Sequence, residues 1–396
     1  MESATPRRNR VLLVVHLAAT FGGAERTTLN VLNGLGRADF TEVVVLAPRG
    51  MHAHWSKAAD RIIDADPLEM AGWFRSPRRL RHDANRLAVV IRTIGADVVL
   101  GMMHYMAAVA EQAVRRHRLP ARVIGSFRGP VFEHLRAYEP NLPRRWWIRW
   151  QLRRSARGMF SITVPGSGTR DELLRHGVGR PSQLQVIPNG IDRHRSERAG
   201  QGPLELPAGV VPGQFVLALG RLSAEKRFED LVSAYALSNV PWPLVVVGEG
   251  PERNSLARQA SALGIADRVH FAGATNTPER WMSRAGVFIH TCRYEGFGYT
   301  LLEAAALGIP VIATDCPFGP REVLGEAGLL VAPDDPHALA TAICQLVEDP
   351  PRRAHMSRAS RDRADCFSLT RSQAAHATLL RAALDDAPPS GDRARP

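Results

Sequence analysis

The sequence predicts an α/β protein made of two doubly wound parallel-sheet domains, and three observations carry that prediction. Val11–Val15 is a continuous apolar, β-branched run, followed by Gly22-Gly23 and an amphipathic stretch at 24–35, the strand, glycine turn and helix of a sheet buried on both faces. The same grammar starts afresh at residue 215, after a stretch bearing glycine and proline. The 396 residues are enough for two or three cores at roughly 100 to 200 residues per domain.

In chain order, further strand runs fall at 42–46, 97–100, 122–125 and 158–164, with helix-patterned segments between them, so residues 1–200 read as a first domain. Residues 192–214 carry Gly-Gln-Gly-Pro and two more prolines without a sustained period, which predicts a linker. A second domain at 213–368 has strands expected at 215–219, 244–247, 269–271, 287–290 and 311–313, with helices such as 228–237. A last patterned helix at 370–384, within 369–387, precedes a polar tail at 388–396 that is too rich in Pro and Arg to pack and is expected to be disordered. Two such domains predict a ligand cleft lined by loops from the carboxyl ends of both sheets.

Composition narrows the function classes. Apolar residues make up 45% and charged residues 23%, which predicts a folded soluble chain. The longest apolar stretches fall far below the ~18–20 residues of a membrane span, and residues 11–19 lead into Thr-Phe-Gly-Gly with no small-x-small cleavage site, so a signal peptide is not expected. The expected location is the cytoplasm. Cys292, Cys316, Cys344 and Cys366 include no C-x-x-C pair, which offers neither a zinc site nor a disulfide framework. Net charge is +12 and uneven: residues 1–200 hold 32 basic against 17 acidic side chains, an excess of +15, whereas the remainder stands at −3. A basic half predicts an acidic partner for that half, such as an anionic membrane, a phosphorylated substrate or nucleic acid.

The strongest local pattern is Tyr294-Glu295-Gly296-Phe297-Gly298-Tyr299-Thr300-Leu301-Leu302-Glu303, directly after a strand. Glycines let the backbone approach a ligand, and the helix beginning near Tyr299 aims unpaired N–H groups at it, which suits a phosphate. Glu295 lies before the turn and Glu303 beyond the first helical turn, a spacing that suits a sugar attached to a nucleotide. Arg221 and Lys226 follow another strand; a guanidinium fork and a compact ammonium together neutralise a diphosphate. Lys226 is one of only two lysines, the other being Lys57. Gly22 and Gly23, in Thr20-Phe21-Gly22-Gly23-Ala24-Glu25, read equally as a structural turn or a ligand loop, and Gly248 and Gly250 end a strand where a nucleotide wall would stand.

Together these residues, with Val186-Ile187-Pro188-Asn189-Gly190-Ile191-Asp192 and the Ala-Leu-Gly-Ile-Pro-Val-Ile that follows Glu303, resemble a retaining family 4 glycosyltransferase of the GT-B fold. The resemblance spans nearly the whole chain, and five motifs of the C-terminal half fall in the family's order. It implies that Arg221 and Lys226 hold the donor diphosphate, that Glu303 binds the ribose and Glu295 the donor sugar, and that Gly296, Phe297, Gly298, Tyr299 and Thr300 present backbone groups to sugar and phosphate. Gly23 would close the phosphate site from the other domain, and the last helix would cross back to the first domain. Relatives often carry a histidine where this chain has Arg128, so His104, after the strand at 97–100, is the acceptor-side candidate, with a structural role as the alternative. The stretch Asp315-Cys316-Pro317-Phe318-Gly319-Pro320-Arg321-Glu322 is similar to a subgroup that often uses UDP-hexoses or UDP-N-acetylhexosamines.

Asp64-Ala65-Asp66 imitates the metal-binding D-x-D of the other glycosyltransferase fold, but Pro67 follows it and it is not placed after a strand of a lone nucleotide-binding domain. It reads as a surface turn, and neither a metal nor a cofactor is expected. The segment from Arg144 to Arg154 interleaves three tryptophans with five arginines: on a helix Trp146, Trp147 and Trp150 share one face and Arg145, Arg149 and Arg153 another, which predicts either an ordinary packed helix or peripheral contact with anionic lipid at the inner face of the membrane. The expected activity is that of a hexosyltransferase moving a hexose or N-acetylhexosamine from a UDP-sugar to a hydroxyl of a glycan, a lipid-linked saccharide or a small metabolite. A sugar-nucleotide epimerase and a non-catalytic basic membrane or nucleic-acid-binding protein are the alternatives; nucleic acid is not expected as a partner.

Overall fold

The computed structural model describes residues 10–18, 21–36 and 39–387. The expected disordered tail at 388–396, most of the N-terminal segment read for a signal, and Thr20 lie outside the described residues. The chain forms two compact units, one running to Pro188 and resuming at Thr370, the other Asn189–Leu369.

The first unit holds a seven-stranded parallel sheet: β1 (Val11–Val15), β2 (Glu42–Ala47), β3 (Arg61–Asp64), β4 (Val98–Met102), β5 (Arg122–Ser126), β6 (Ser161–Val164) and β7 (Leu184–Val186), in the order β3-β2-β1-β4-β5-β6-β7. Leu13 lies opposite Val44 on one side and Val99 on the other, so the β-branched runs pair with each other at the centre. The strand order reverses between β1 and β4, which places the segments after Val15 and Met102 at the switch point where ligands of such sheets bind. Helix Leu369–Asp386 belongs to this unit from Thr370 on: Leu380, Ala383 and Leu384 pack with Leu32 and Val98, and Gln373 Nε2 donates to the Asn30 carbonyl at 2.9 Å.

The second unit has six parallel strands, β8 (Val216–Leu219), β9 (Leu244–Val247), β10 (Val269–Gly273), β11 (Val287–His290), β12 (Val311–Thr314) and β13 (Leu329–Val331), ordered β10-β9-β8-β11-β12-β13. Its order reverses between β8 and β11, so the loops after Leu219 and His290 share the switch point.

Several expectations are corrected. The strands β3, β7 and β13 were not anticipated, because each is short and lies at a sheet edge, without a run of fully buried apolar residues. The first unit ends at Pro188 and not at residue 200, and the second begins at Asn189 and not at 213. Within the expected linker, Arg193–Gly200 is a helix capped by Asp192 (Arg195 N to Oδ1, 3.0 Å) that packs on helices Pro278–Met282 and Tyr299–Leu307. Its sequence is almost wholly polar, so it carries no apolar period to read.

Asp64 ends β3, the edge strand of the first unit's sheet. Its carboxylate is taken up by Arg49 (2.8 Å) and the Asp66 amide (3.0 Å), and the Asp66 side chain accepts from the Arg49 amide (3.2 Å). On helix Leu142–Gly158 the tryptophans do not share a face: Trp147 turns inward against Phe74, with ring centroids 5.9 Å apart, while Trp146 and Trp150 point outward with Leu142. The arginines are mostly tied to backbone carbonyls, Arg144 to Phe74, Arg145 to Glu139 and Arg153 to His176.

Candidate active site

In the second unit the loop after β8 runs Gly220-Arg221-Leu222-Ser223 into a short turn, Ala224–Lys226. Its shape is set by the loop after β9. The Leu222 amide donates to the Glu249 carbonyl (2.9 Å) and the Glu252 amide to the Leu222 carbonyl (3.0 Å). A Cβ at Gly248 would run into the Gly220 carbonyl oxygen and one at Gly250 into that of Leu222, so these two glycines allow the two loops to touch backbone to backbone. Their visible work is to brace the loop that carries Arg221 and Lys226.

The loop after β11 meets the same turn. Thr291 Oγ1 donates to the Lys226 carbonyl and the Arg293 amide to the Glu225 carbonyl, both at 2.9 Å. These bonds set Lys226 Nζ 2.7 Å from Glu295 Oε2. The other Glu295 oxygen accepts from the Gly296 amide (2.9 Å). His290 Nε2 stands 3.3 Å from Glu295 Oε2, and Cys292 Sγ lies 3.5 Å from that nitrogen and 3.8 Å from the same carboxylate oxygen.

The electrostatics follow from this packing. Burial alone would raise the Glu295 pKa, but the Lys226 ammonium and the His290 N–H outweigh it and hold the carboxyl well below its usual range. Burial opposes the charge on Lys226, and the Cys292 sulfur and Glu295 carboxylate reverse that and push its pKa up. His290 is likewise raised to about 9, against its burial, by Cys292 and Glu295. Arg221 is different: its side chain is 71% exposed, and its guanidinium reaches Glu225 at 2.9 Å.

Gly298, at φ +92°, turns the chain into helix Tyr299–Leu307. Phe297 is buried, its ring edge-on to Phe367 at 5.5 Å, which leaves only its backbone toward the loop. Tyr299 and Thr300 occupy the first turn, and Glu303 is buried on the same helix. Arg221, Lys226, Glu295 and the 296–300 turn therefore gather at one switch point, in front of a helix N-terminus.

Gly22, Gly23 and His104 belong to the first unit, at its own switch point. Gly22 caps helix Gly23–Asn33, and its amide donates to Glu25 Oε2 at 2.7 Å. Glu25 Oε1 in turn faces His16 Nε2 at 3.3 Å. Burial lowers His16 to about 4, only partly countered by the Ala24 backbone, and raises Glu25. His16 and Glu25 thus hold the glycine turn in place, a role that sequence reading missed for His16. Its one signal was a histidine directly after a buried strand.

His104 opens helix Met103–His117 just past Met103, whose φ of +64° is strained for a side chain with a Cβ. Its ring is enclosed by Trp73 (4.9 Å, perpendicular), Phe74 (6.0 Å) and Phe127 (6.1 Å), and its Nε2 is buried without a hydrogen-bond partner. Burial, with the nearby His134, lowers its pKa to about 3. Arg128 lies after β5 and bonds Ser126 Oγ (2.7 Å), Thr163 Oγ1 (3.2 Å) and His376 Nε2 (2.9 Å). Its histidine neighbour thus comes from helix Leu369–Asp386, far away in sequence.

Comparison with known proteins agrees with this geometry. Residues 21–195 match the model of Glycosyltransferase Family 4, and residues 211–363 that of Glycosyl transferases group 1. A Campylobacter jejuni N-acetylgalactosamine-N,N'-diacetylbacillosaminyl-diphospho-undecaprenol 4-alpha-N-acetylgalactosaminyltransferase is 27% identical over 282 residues, 70% of this chain and 74% of that protein. The Rhizobium meliloti lipopolysaccharide core biosynthesis mannosyltransferase LpsB is 34% identical over 186 residues, 43% of this chain and about half (53%) of its own length. Among solved structures, Anabaena Alr3699/HepE in complex with UDP superposes with a TM-score of 0.75 at 18% identity, covering 94% of this chain and all of that one (100%). Two Rossmann-like sheets of seven and six strands are the architecture of GT-B proteins. The chain belongs to the family 4 glycosyltransferases, and it is an enzyme of that class. The non-catalytic alternative is thereby set aside.

Proposed function

We propose that this enzyme transfers a hexose or N-acetylhexosamine from a nucleotide sugar, UDP-linked, to an acceptor hydroxyl with retention of configuration and without a cofactor. The observation that carries the reading is the Lys226–Glu295 pair, 2.7 Å apart, at the switch point of the second sheet. A diphosphate competes with Glu295 for the Lys226 ammonium; once Lys226 turns to the phosphates, Glu295 is free to accept hydrogen bonds from sugar hydroxyls. Exposed Arg221 adds a second cation, the amides of Gly296 to Thr300 add donors, and Glu303 takes the ribose.

The acceptor hydroxyl attacks on the face from which the diphosphate leaves. The C–O bond to the phosphate breaks as the new glycosidic bond forms, and the departing phosphate oxygen takes the hydroxyl proton. Stabilising the developing charge with Lys226 and Arg221 is the main catalytic contribution. His104, neutral at physiological pH, offers its unpartnered Nε2 to the acceptor. The UDP preference is supported by the 315–322 stretch, and an N-acetylhexosamine by the name of the Campylobacter relative.

Of the acceptors a glycan, a lipid-linked saccharide or a small metabolite, the structure of the first unit favours the lipid-linked one. Tyr138, Leu142, Trp146 and Trp150 are exposed on consecutive helices, beside Arg136, Arg154 and Arg157, in the half of the chain with +15 charge. Among the described residues no helix is long and apolar enough to cross a membrane. This stripe gives peripheral contact with an anionic surface.

Turnover of a UDP-sugar by the Lys226→Ala variant tests the reading. Its rate should fall about 10²–10³-fold, as when one preorganised donor to a developing anion is lost, with the circular dichroism spectrum of the fold kept and a lower thermal unfolding midpoint, because Glu295 loses its ammonium partner. Wild-type turnover in that variant contradicts the assignment.

A further inference from the structure

His290, Cys292 and Glu295 present one nitrogen, one sulfur and one oxygen to a common point, and the three edges of that triangle are 3.3, 3.5 and 3.8 Å. Zinc bound tetrahedrally has Zn–N and Zn–O bonds of about 2.0–2.2 Å and Zn–S of about 2.3 Å, which requires ligand-to-ligand edges of roughly 3.3–3.7 Å. The three side chains already stand at nearly that spacing. Two are almost fully buried, on a strand end and the residue but one after it, and the third lies in the rigid turn before helix Tyr299–Leu307. The cluster also holds a cation of its own: the Lys226 ammonium, 2.7 Å from Glu295 Oε2, on a side chain that is 24% exposed.

We propose that His290, Cys292 and Glu295 form an inhibitory zinc site in which Zn²⁺ and the Lys226 ammonium compete for the Glu295 carboxylate. The donor set decides the ion. A thiolate with an imidazole and one carboxylate suits Zn²⁺ or Co²⁺, whereas Mg²⁺ and Ca²⁺ require oxygen ligands and near-complete hydration or oxygen cages. The metal takes the thiolate sulfur and the unprotonated imidazole nitrogen, any proton on either passes to solvent, and the fourth position is left for water. Inhibition, though not binding, rests on the donor-site reading above: a metal on Glu295 removes the carboxylate that takes the sugar and displaces the ammonium that takes the diphosphate.

The test is a Co²⁺ titration of the full, chelator-stripped chain, read by its visible spectrum and reversed by Zn²⁺. One equivalent should give the intense d–d bands of tetrahedral cobalt together with a thiolate-to-cobalt charge-transfer band, neither affected by excess Mg²⁺. Cys292→Ser should lose the charge-transfer band, His290→Gln should lose the tetrahedral pattern, and Cys366→Ser, which changes the exposed cysteine, should alter nothing. Lys226→Ala should bind Zn²⁺ about tenfold or more tightly, because its built-in competitor is gone. Absence of the charge-transfer band, its survival in Cys292→Ser, or unchanged affinity in Lys226→Ala overturns the proposal. In transferase assays Zn²⁺ should inhibit the wild type reversibly and Cys292→Ser about tenfold less. The cobalt spectrum decides the site even if the chain turns over no UDP-sugar.

Discussion

Around the strand reversal of the second sheet, burial does not neutralise the titratable groups: Lys226 and Glu295 stay charged, and His290 is raised to about 9. Around the reversal of the first sheet burial prevails, with His16 lowered to about 4, Glu25 raised and His104 lowered to about 3. The topology at both places is the same, so the difference lies in the partners. An ammonium 2.7 Å from a carboxylate offsets the loss of water, whereas among the described residues His104 is ringed by Trp73, Phe74 and Phe127 with a second histidine nearby, and at His16 burial prevails even with the Glu25 carboxylate 3.3 Å away. Under the proposed function, one switch point would hold the donor's anion and the other would meet the acceptor's uncharged hydroxyl.

The two reversals differ most testably at His104. If the neutral imidazole serves the acceptor alone, His104→Phe should lower acceptor-dependent turnover about 10²-fold, while slow hydrolysis of the donor without acceptor stays as in the wild type. A parallel loss of both rates would place His104 in donor binding or in folding. A smaller effect is expected at the outward stripe of the first unit. Replacing Trp146 and Trp150 together by Ser should reduce co-sedimentation with anionic vesicles about tenfold and leave turnover of a water-soluble acceptor unchanged; equal binding to anionic vesicles by both proteins would show that the stripe does not seat on lipid.

The smallest effect is a divergence of the two units with pH. Histidines with lowered pKa, His16, His104 and His376 (about 3), stabilise the folded first unit fully above about pH 6.5, and that contribution is lost as pH falls toward 3–4. His290, with its pKa raised, contributes fully below about 6.5 and loses that contribution as pH rises through about 9. Glu295, with its pKa lowered, keeps its contribution until pH falls below the usual carboxylate range. Glu172, raised to about 7, and Glu25 and Glu111, also raised, act in the opposite sense within the first unit, so the order is read locally: hydrogen exchange, corrected for intrinsic rates, should show the segments about His104 and His376 losing protection before that about His290 at pH 5, and the segment about His290 losing more at pH 9. The opposite order would show that the paired and unpaired burials do not govern stability.

Much of the charged site is legible in the sequence because its residues follow strands. Arg221, Lys226, Glu295, Gly296 and Gly298 sit in the segments that follow apolar runs, where loops at a carboxyl edge must lie. What pairs with what is not legible: His290 and Cys292 acquire their meaning only when β11 lies beside β8 and the two loops cross. Arg128 could be read as the loss of a histidine, yet the fold brings it His376 from 248 residues away. Periodicity identified helix Leu142–Gly158 but not which side faces the core; Ile148, Leu152 and Ala156 decide that, and they draw Trp147 inward. The polar helix Arg193–Gly200 was hidden for the converse reason, since its stability comes from its cap and its seat on neighbouring helices.

The central claim is that Lys226 leaves Glu295 for the donor diphosphate, and calorimetric titration of UDP into the wild type and Lys226→Ala tests it most directly. The account predicts binding by the wild type and affinity about tenfold or more weaker in the variant, the loss of one charge-assisted contact. Equal UDP affinity in the two proteins would contradict it.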